Sequence, residues 1–500
     1  MSLYDDDDDF AEDEVGWGMT FRGSGHDPMV DDRLRLSDVT KLARRARRRV
    51  VGVARADDRP TLAGVLADHL GEEVQVLDVV EESWPAYDHV NVQIAVDVWL
   101  AGEGRSHEMV GMTNFRHYSF GLGDLLKGPI GSHRGGPLPG NVSWTNLASG
   151  PSGEVRRAVR AGLYLVQDAG VHAAVMLLAS DPDGGGGVAL HVVADQPGAA
   201  DAIAAEIRRL ALEHNVFRGQ VISFDHDMFG ERSTALHFHP RSAITADDVV
   251  LPEATLQAIH RQVVGVARHR ARLLAARQHL KRGLLLYGPP GVGKTHTVRY
   301  LTSQLSGVTI IQLSGDALAM IGTACSVART LQPAMIVVED VDLIAEDRGD
   351  YPGQHPLLFQ LLNEMDGLAE DADVVFLLTT NRADLLEPAL AARPGRVDQA
   401  VLMELPDVEG RRRLFELYRG RLTVDEARLE SVLERTEGVT ASFLKELLRR
   451  AALIAVADSE VVGEAPLEVS ADHLDTALDE LLDTRNAMTR VLLGGGREAS

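Results

Sequence analysis

Apolar and polar positions along this chain change period several times, and the changes divide it into parts. The first 30 residues show no period and are acidic and Gly-rich, which predicts a disordered tail with order beginning near Asp31. A helix-like pattern runs from about Thr61 to Leu70-Gly71. Val90, Val92, Ile94, Val96 and Val98 then alternate with polar or small residues, the period of a strand. The stretch from Lys127 to Gly153 is dense in Gly, Pro and Ser, so it reads as loop and as a candidate split of the N-terminal region. Beyond it the pattern predicts a helix over 153–169, a strand over 171–178, a turn over 181–187, a strand over 188–194 and a helix over 198–214. Val175–Leu178 and Val188–Val193 flank a run of four glycines, as in a hairpin. Two short strands are expected over 220–224 and 234–238, and a helical stretch over 252–280.

The second half is more regular. Apolar runs at Leu284–Tyr287, Val308–Leu313, Met335–Val338 and Val374–Leu378 are short, continuous and separated by helix-like stretches. Strands buried on both faces and alternating with helices imply a doubly wound parallel sheet.

The first of these runs ends in Gly288-Pro289-Pro290-Gly291-Val292-Gly293-Lys294-Thr295, with His296 next. That segment fits G-x-x-x-x-G-K-[ST] at every fixed position. Glycines let the backbone curl so that its N–H groups face a phosphate chain. Lys294 can then reach the β- and γ-phosphates, and Thr295 can offer its hydroxyl to Mg²⁺. The helix that follows adds its positive end. The chain has only five lysines, Lys41, Lys127, Lys281, Lys294 and Lys445, so a compact ammonium is kept where a phosphate point charge is met. The third run leads straight into Glu339-Asp340. Carboxylates at the carboxyl edge of a parallel sheet stand beside the phosphate loop. One can hold Mg²⁺ through water and the next can polarise the attacking water. The fourth run ends in Thr379-Thr380-Asn381, whose amide can orient that water. Arg393 and Arg396, three apart beside a Pro-Gly turn, have the exposure and fixation that an arginine finger needs.

Composition narrows the classes. Five hundred residues with 45% apolar content allow about three domains and a sizeable core. The net charge of −24 argues against a nucleic-acid coat, which carries a basic footprint. Asp5–Asp9, Glu12, Asp13 and Glu14 form a self-repelling acidic block. Cys325 is the only cysteine, which excludes an internal disulfide and fits a reducing compartment. No signal-peptide layout and no long apolar window is present, so a soluble, cytoplasmic chain is expected. His107-Glu108 starts like a zinc-protease helix, but Gly111 stands where the second histidine belongs. His226, His237 and His239 near Asp225 and Asp227 are weighed as a metal site against surface histidines, the commoner case. Phe115, His117, Tyr118 and Phe120 read as packing residues, with a substrate patch as the alternative.

These motifs together resemble the AAA clade of the AAA+ ATPases. The resemblance rests on the phosphate loop, the acidic strand end, L-L-N-E-M-D-G-L at Leu361–Leu368, and the second region of homology, T-T-N-R-x-D…P-A-L…R-P-G-R-x-D, at Thr379–Asp398. Leu405–Arg411 is similar to the family's entry into a small helical lid. The resemblance covers about 280–450 and implies a P-loop α/β sheet with a C-terminal helical lid, preceded here by an α+β N-terminal region. The expected layout is a tail over 1–30, an α+β substrate or adaptor region over 31–250, a large ATPase subdomain over 251–405, a lid over 406–487 and a flexible tail over 488–500. It further implies ATP and Mg²⁺ as cofactors, a homo-oligomeric ring, usually a hexamer, with ATP at subunit interfaces, and a protein client or adaptor as partner. Asn381 matches the family's sensor asparagine, and Arg393 and Arg396 match its trans-acting fingers.

Three features depart from the family. The usual Asp-Glu is Glu339-Asp340, so the catalytic carboxylate falls at Asp340, one methylene shorter. A mitochondrial AAA protein that translocates a folded iron–sulfur protein has the same order. The pore loop normally carries an aromatic before Gly; Met320-Ile321-Gly322 is the closest match, and the text from Gly322 to Pro333 is short by about two helical turns. Gly438–Phe443 lacks the aspartate usual at the start of the lid's nucleotide-facing helix. The leading expectation is an ATP-driven protein remodeller or unfoldase. A slowly hydrolysing, nucleotide-dependent scaffold or switch is the alternative, and a nucleic-acid motor comes third.

Overall fold

A computed structural model describes residues 61–71, 73–113, 120–127, 138–179, 186–225, 235–343, 356–369, 371–384, 397–459 and 467–483. Two sheets of seven strands each dominate these residues.

The N-terminal sheet is antiparallel. Its strands are β1 (Val79–Trp84), β2 (Arg105–Thr113), β3 (Leu138–Gly140), β4 (Ser143–Ala148), β5 (Val155–Asp168), β6 (Val171–Ala179) and β7 (Val188–Ala194). They lie in the order β1-β7-β6-β5-β2-β3, with β4 also paired to β5. The β6–β7 hairpin is the one expected around the glycine run. Strands β3 and β4 lie inside the stretch expected to be a loop, and they join this same sheet rather than splitting the region.

Helices cover both faces of that sheet. Val92, Val96 and Trp99 of α2 (His89–Leu100) and Ile207 of α4 (Ala199–Glu213) pack on one face. Leu62 and Leu66 of α1 (Leu62–Leu70) and Leu122 of α3 (Leu122–Leu126) pack on the other. This two-sided burial explains two misreadings. Strand β5 is buried almost continuously from Ala158 to Val166, so its period of two is lost and it reads as the helix expected over 153–169. The alternating segment 89–100 is a helix, not a strand, because nearly every side of it is buried. Its buried polar residues have partners. His89 Nε2 meets Val159 O at 2.8 Å, and Gln93 Oε1 accepts the Val159 N–H at 2.8 Å. Both backbone groups of Val159 are met by these α2 side chains next to the point where the β4–β5 register shifts.

The second sheet has the order β14-β10-β13-β12-β11-β8-β9. Its members are β8 (Val221–Asp225), β9 (Ala235–His239), β10 (Arg282–Tyr287), β11 (Thr309–Leu313), β12 (Ala334–Val338), β13 (Val374–Thr380) and β14 (Gln399–Leu402). All pairs are parallel except the β8–β9 hairpin at the edge. This sheet therefore takes in strands from before residue 251, the expected start of the ATPase part. Arg241 fixes that edge, since its guanidinium donates to the carbonyls of Thr302, Gly219 and Val308.

Helices α5 (Glu253–His260) and α6 (Val266–Ala275) precede β10, and α7 (Lys294–Gln304) follows it. Helices α8 (Ile321–Thr330) and α9 (Pro356–Asp366) lie on the opposite face. A helical bundle closes the described chain. It consists of α10 (Val408–Arg419), α11 (Leu429–Arg435), α12 (Ala441–Asp458) and α13 (Ala471–Leu482), with the short pair β15 (Thr423–Val424) and β16 (Glu468–Val469). It has its own core around Phe415, Phe443 and Leu447. Helix α2 ties the two sheets together, since its Val90 and Ile94 pack into the core of the second sheet with Phe217, Phe224 and Val327.

Burial holds the His89 imidazole below its ordinary value; its bond to Val159 opposes this and the charge of Arg160 adds to it. The folded chain keeps His89 neutral while the unfolded chain takes up a proton below about pH 6.5, so this contribution is full above that pH and is lost as pH falls. His89→Gln is expected to flatten the decline of urea stability between about pH 6.5 and 5. An unchanged slope would show that His89 is not the group responsible.

Candidate nucleotide site

The parallel strands β10, β12 and β13 end side by side, and each delivers one part of the site. Leu286 and Tyr287 of β10 pair with Thr379 and Thr380 of β13, whose other neighbour is β12. The loop Gly288–Gly293 leaves β10 and enters α7 at Lys294. Two glycines are demanded here. Gly288 has φ +149°, and a Cβ would stand 2.3 Å from Met403 O. Gly291 has φ +81°, and its Cβ would meet Thr440 Oγ1 at 2.9 Å and Ser442 Oγ at 3.0 Å.

Lys294 is 7% exposed, and its ammonium finds three oxygens: Gly288 O at 2.8 Å, Pro289 O at 2.9 Å and Asn381 Oδ1 at 2.8 Å. Burial lowers its pKa from the ordinary lysine value, while the charges of Asp340 and Asp342 pull it back up. Asn381 is a bridge, because its Nδ2 donates to Asp340 Oδ1 at 3.3 Å. Thr295 Oγ1 donates to Glu339 Oε2 at 2.8 Å. The reversed pair thus separates into two duties: Glu339 reaches Thr295, and Asp340 faces Asn381.

The backbone at this position suits an aspartate. Asp340 has φ +52°, in the left-handed region where Asp is tolerated far better than longer carboxylates. Thr379 holds this turn: its Oγ1 accepts the Asp340 N–H at 3.1 Å and its carbonyl accepts the Val341 N–H at 2.9 Å.

Sequence reasoning missed Asp342. It is 9% exposed, and its Oδ1 accepts from Thr380 Oγ1 at 2.8 Å and from Asn381 N at 3.3 Å. Asp342 therefore stitches the end of β13 to the end of β12 and fixes where Asn381 stands. Its signal was available as an acid two residues past Asp340, next to an apolar strand.

The lid reaches the loop directly. Ser442 N donates to Gly291 O at 3.2 Å, at the start of α12, where Thr440 Oγ1 caps the Phe443 N–H. The segment lacking the family's aspartate is thus in contact with the phosphate loop. Beside it, Val250, Leu251, Val292, Leu405 and Leu414 line a cleft of about 220 Å³ that can take the flat face of a base. His296 turns away from the loop and meets Asp248 O at 2.8 Å.

The remaining expected residues fall elsewhere. Arg393 and Arg396 lie outside the described residues, as do Phe115, His117, Tyr118, His226 and Asp227. Ile321 is fully buried at the start of α8, under the core of the second sheet, so it cannot grip a chain in a pore. A 3₁₀ turn, Gly315–Met320, runs directly into α8. Among the described residues no group of three His, Cys, Asp or Glu side chains is placed to hold a metal, and His107-Glu108 sits on strand β2. Phe120 is a core residue.

Residues 284–405 match the family model described as "ATPase family associated with various cellular activities (AAA)". The ATPase part of this chain belongs to the AAA clade. An ATP-dependent zinc metalloprotease FtsH 3 of Symbiobacterium thermophilum is 30% identical over 269 residues, 51% of this chain and 42% of that protein. An FtsH of Cutibacterium acnes is 34% identical over 229 residues, 43% of this chain and 31% of that protein. A chloroplastic FTSH 2 of Arabidopsis thaliana is 30% identical, over 51% of this chain and 37% of that protein. The chain thus spans less than half the length of these relatives. Among the described residues no helix is long and apolar enough to cross a membrane. The structure brings the loop's Lys294 and Thr295, the acidic strand end and Asn381 into hydrogen-bond contact with one another.

Asp342→Ala leaves Thr380 Oγ1 and Asn381 N without their shared acceptor, which should cost about 1–3 kcal/mol of stability. It should lower turnover of ATP at least about tenfold while nucleotide affinity changes little, the pattern of a lost transition-state interaction. Parallel titration and steady-state kinetics check this; a loss of affinity with unchanged kcat would remove Asp342 from the catalytic geometry.

Proposed function

We propose that this chain hydrolyses ATP as a homo-oligomeric ring, a hexamer, and uses the turnover to remodel, unfold or translocate protein clients. The observation that carries this reading is the bridge Lys294–Asn381–Asp340 beside the Thr295–Glu339 pair. The site's fit to a nucleotide with its metal follows from the curled loop, the three oxygens that already satisfy an ammonium, and the hydroxyl–carboxylate pair. When bound, ATP supplies the phosphoanhydride bond and Mg²⁺ supplies positive charge against its phosphates.

The residues then divide the work. Gly288–Gly293 present backbone N–H groups, and Lys294 exchanges its protein oxygens for phosphate oxygens. Thr295 and Glu339, already paired at 2.8 Å, would hold the metal, which would supply positive charge beside the phosphates. Asn381 orients the attacking water, and Asp340 accepts its proton before releasing it to solvent. Arg393 and Arg396 from a neighbouring subunit stabilise the charge that develops on the transferred phosphoryl. The N-terminal sheet module contacts the client or adaptor and moves with the ATPase sheet through α2. Burial of Ile321 favours this route over grip by a pore residue at that position.

The reading is tested by steady-state ATP hydrolysis with native mass measured in the same nucleotide. Wild-type protein should turn over ATP in a ring, and Asp340→Asn should keep the ring and bind ATP without cleaving it. A ring without wild-type turnover would instead support the nucleotide-dependent switch or scaffold. Stimulation by an unfolded protein, and not by DNA or RNA, is the result that fits a protein client.

A second prediction follows from the left-handed turn. The swapped variant Glu339→Asp/Asp340→Glu, which restores the family's usual order, should lose stability by about 1 kcal/mol and turn over more slowly than wild type. Faster turnover in the swap would mean the backbone does not select Asp at position 340.

A further inference from the structure

Between Glu253 and Asp316 the chain has no carboxylate at all but nine arginines and lysines, in a protein of net charge −24. Most of that positive charge is carried by the helical segment ahead of β10. Helix α5 continues through a π turn, Arg261–Gly265, into α6. The far half of α6 is exposed nearly all round, including Arg268, His269, Arg270 and Arg272. One of its arginines serves the fold, because Arg270 pairs with the buried Asp373 at 3.2 Å, which Arg282 shares. Arg261, Arg268, Arg272 and Arg277 have no carboxylate partner among the described residues.

Two of these arginines rim one groove. An open groove of about 460 Å³ is lined by Leu256, His260, Arg261, Arg268, His269 and Tyr300. The π turn falls between Arg261 and Arg268, seven residues apart, and both side chains border the same space. Tyr300 closes the floor; it is 3% exposed, and the charge of Arg268 acts on its phenol. The floor belongs to α7, the helix that begins with Lys294 and Thr295.

We propose that this groove docks an acidic, partly apolar segment of a partner protein. Guanidiniums without a carboxylate partner among the described residues present planar forks that match carboxylates, and Leu256 beside them offers apolar contact. Clustered like charges raise the energy of the free surface, and a carboxylate-bearing partner relieves it. Single-stranded nucleic acid fits worse. It is held on exposed aromatic platforms, and the Tyr300 ring here is buried. The inference does not depend on ATP hydrolysis.

The test is fluorescence anisotropy of labelled poly-L-glutamate, about 20 residues long, with the full chain at several salt concentrations. Wild type should bind it with an affinity that falls as salt rises. The variant Arg261→Ala/Arg268→Ala should weaken binding at least about tenfold with an unchanged melting curve, and Arg261→Lys/Arg268→Lys should fall between, since charge is kept and the fork is lost. Oligothymidylate of equal charge should bind more weakly. No binding at physiological salt, binding unchanged in the alanine variant, or tighter and equally sensitive binding of oligothymidylate would each overturn the proposal.

Discussion

A buried ammonium must be surrounded by oxygen. Lys294 sits at the start of a helix, almost wholly removed from water, and its three acceptors come from two separate pieces of chain. Two are carbonyls of the loop it ends, and the third is the amide of Asn381, 87 residues further on. The loop's curl, the register of β10 against β13 and the orientation of Asn381 all have to agree for that charge to be satisfied. The rest of the site follows from that agreement.

Asn381 can serve Lys294 only because its own position is fixed from behind. Asp342 accepts from Thr380 and from the Asn381 backbone, and Thr379 holds the turn that carries Asp340. Two neighbouring strand ends are joined by side chains at the point where regular ladder bonds stop. The left-handed residue at 340 is local strain of the kind that survives only when its surroundings over-determine it. Here the same bonds that hold the strain also place the carboxylate, so the Glu-Asp order and the backbone are one feature.

Much of this was legible in the sequence, and the reason is physical. A phosphate loop, an acidic strand end and a strand-terminal asparagine are set by short-range geometry, so fixed spacing announces them. The N-terminal sheet was harder. Segment 89–100 alternates like a strand, yet His89, Asn91 and Gln93 are buried with partners that lie in β5 and elsewhere, which no local pattern reveals. Strand β5 lost its period because helices cover both of its faces. Ile321 stood at a family position for gripping a client, but it is packed in the core of the second sheet, which local sequence does not reveal. Asp342 went unnoticed because its partners, Thr380 and Asn381, come together with it only when β12 and β13 pair.

The two sheets are not independent bodies in this arrangement. Helix α2 contributes to both cores, and α8, which shares the second of those cores, follows β11 and precedes β12. A change at the strand ends therefore has a short packed route to the N-terminal module. The most direct test of the central claim is a structure of the chain with a non-hydrolysable ATP analogue and Mg²⁺. The account predicts that Lys294 leaves Gly288, Pro289 and Asn381 for the phosphates while the Asp342–Thr380 and Thr379–Asp340 bonds persist. Lys294 still held by the loop carbonyls, or those strand-end bonds broken with nucleotide bound, would contradict it.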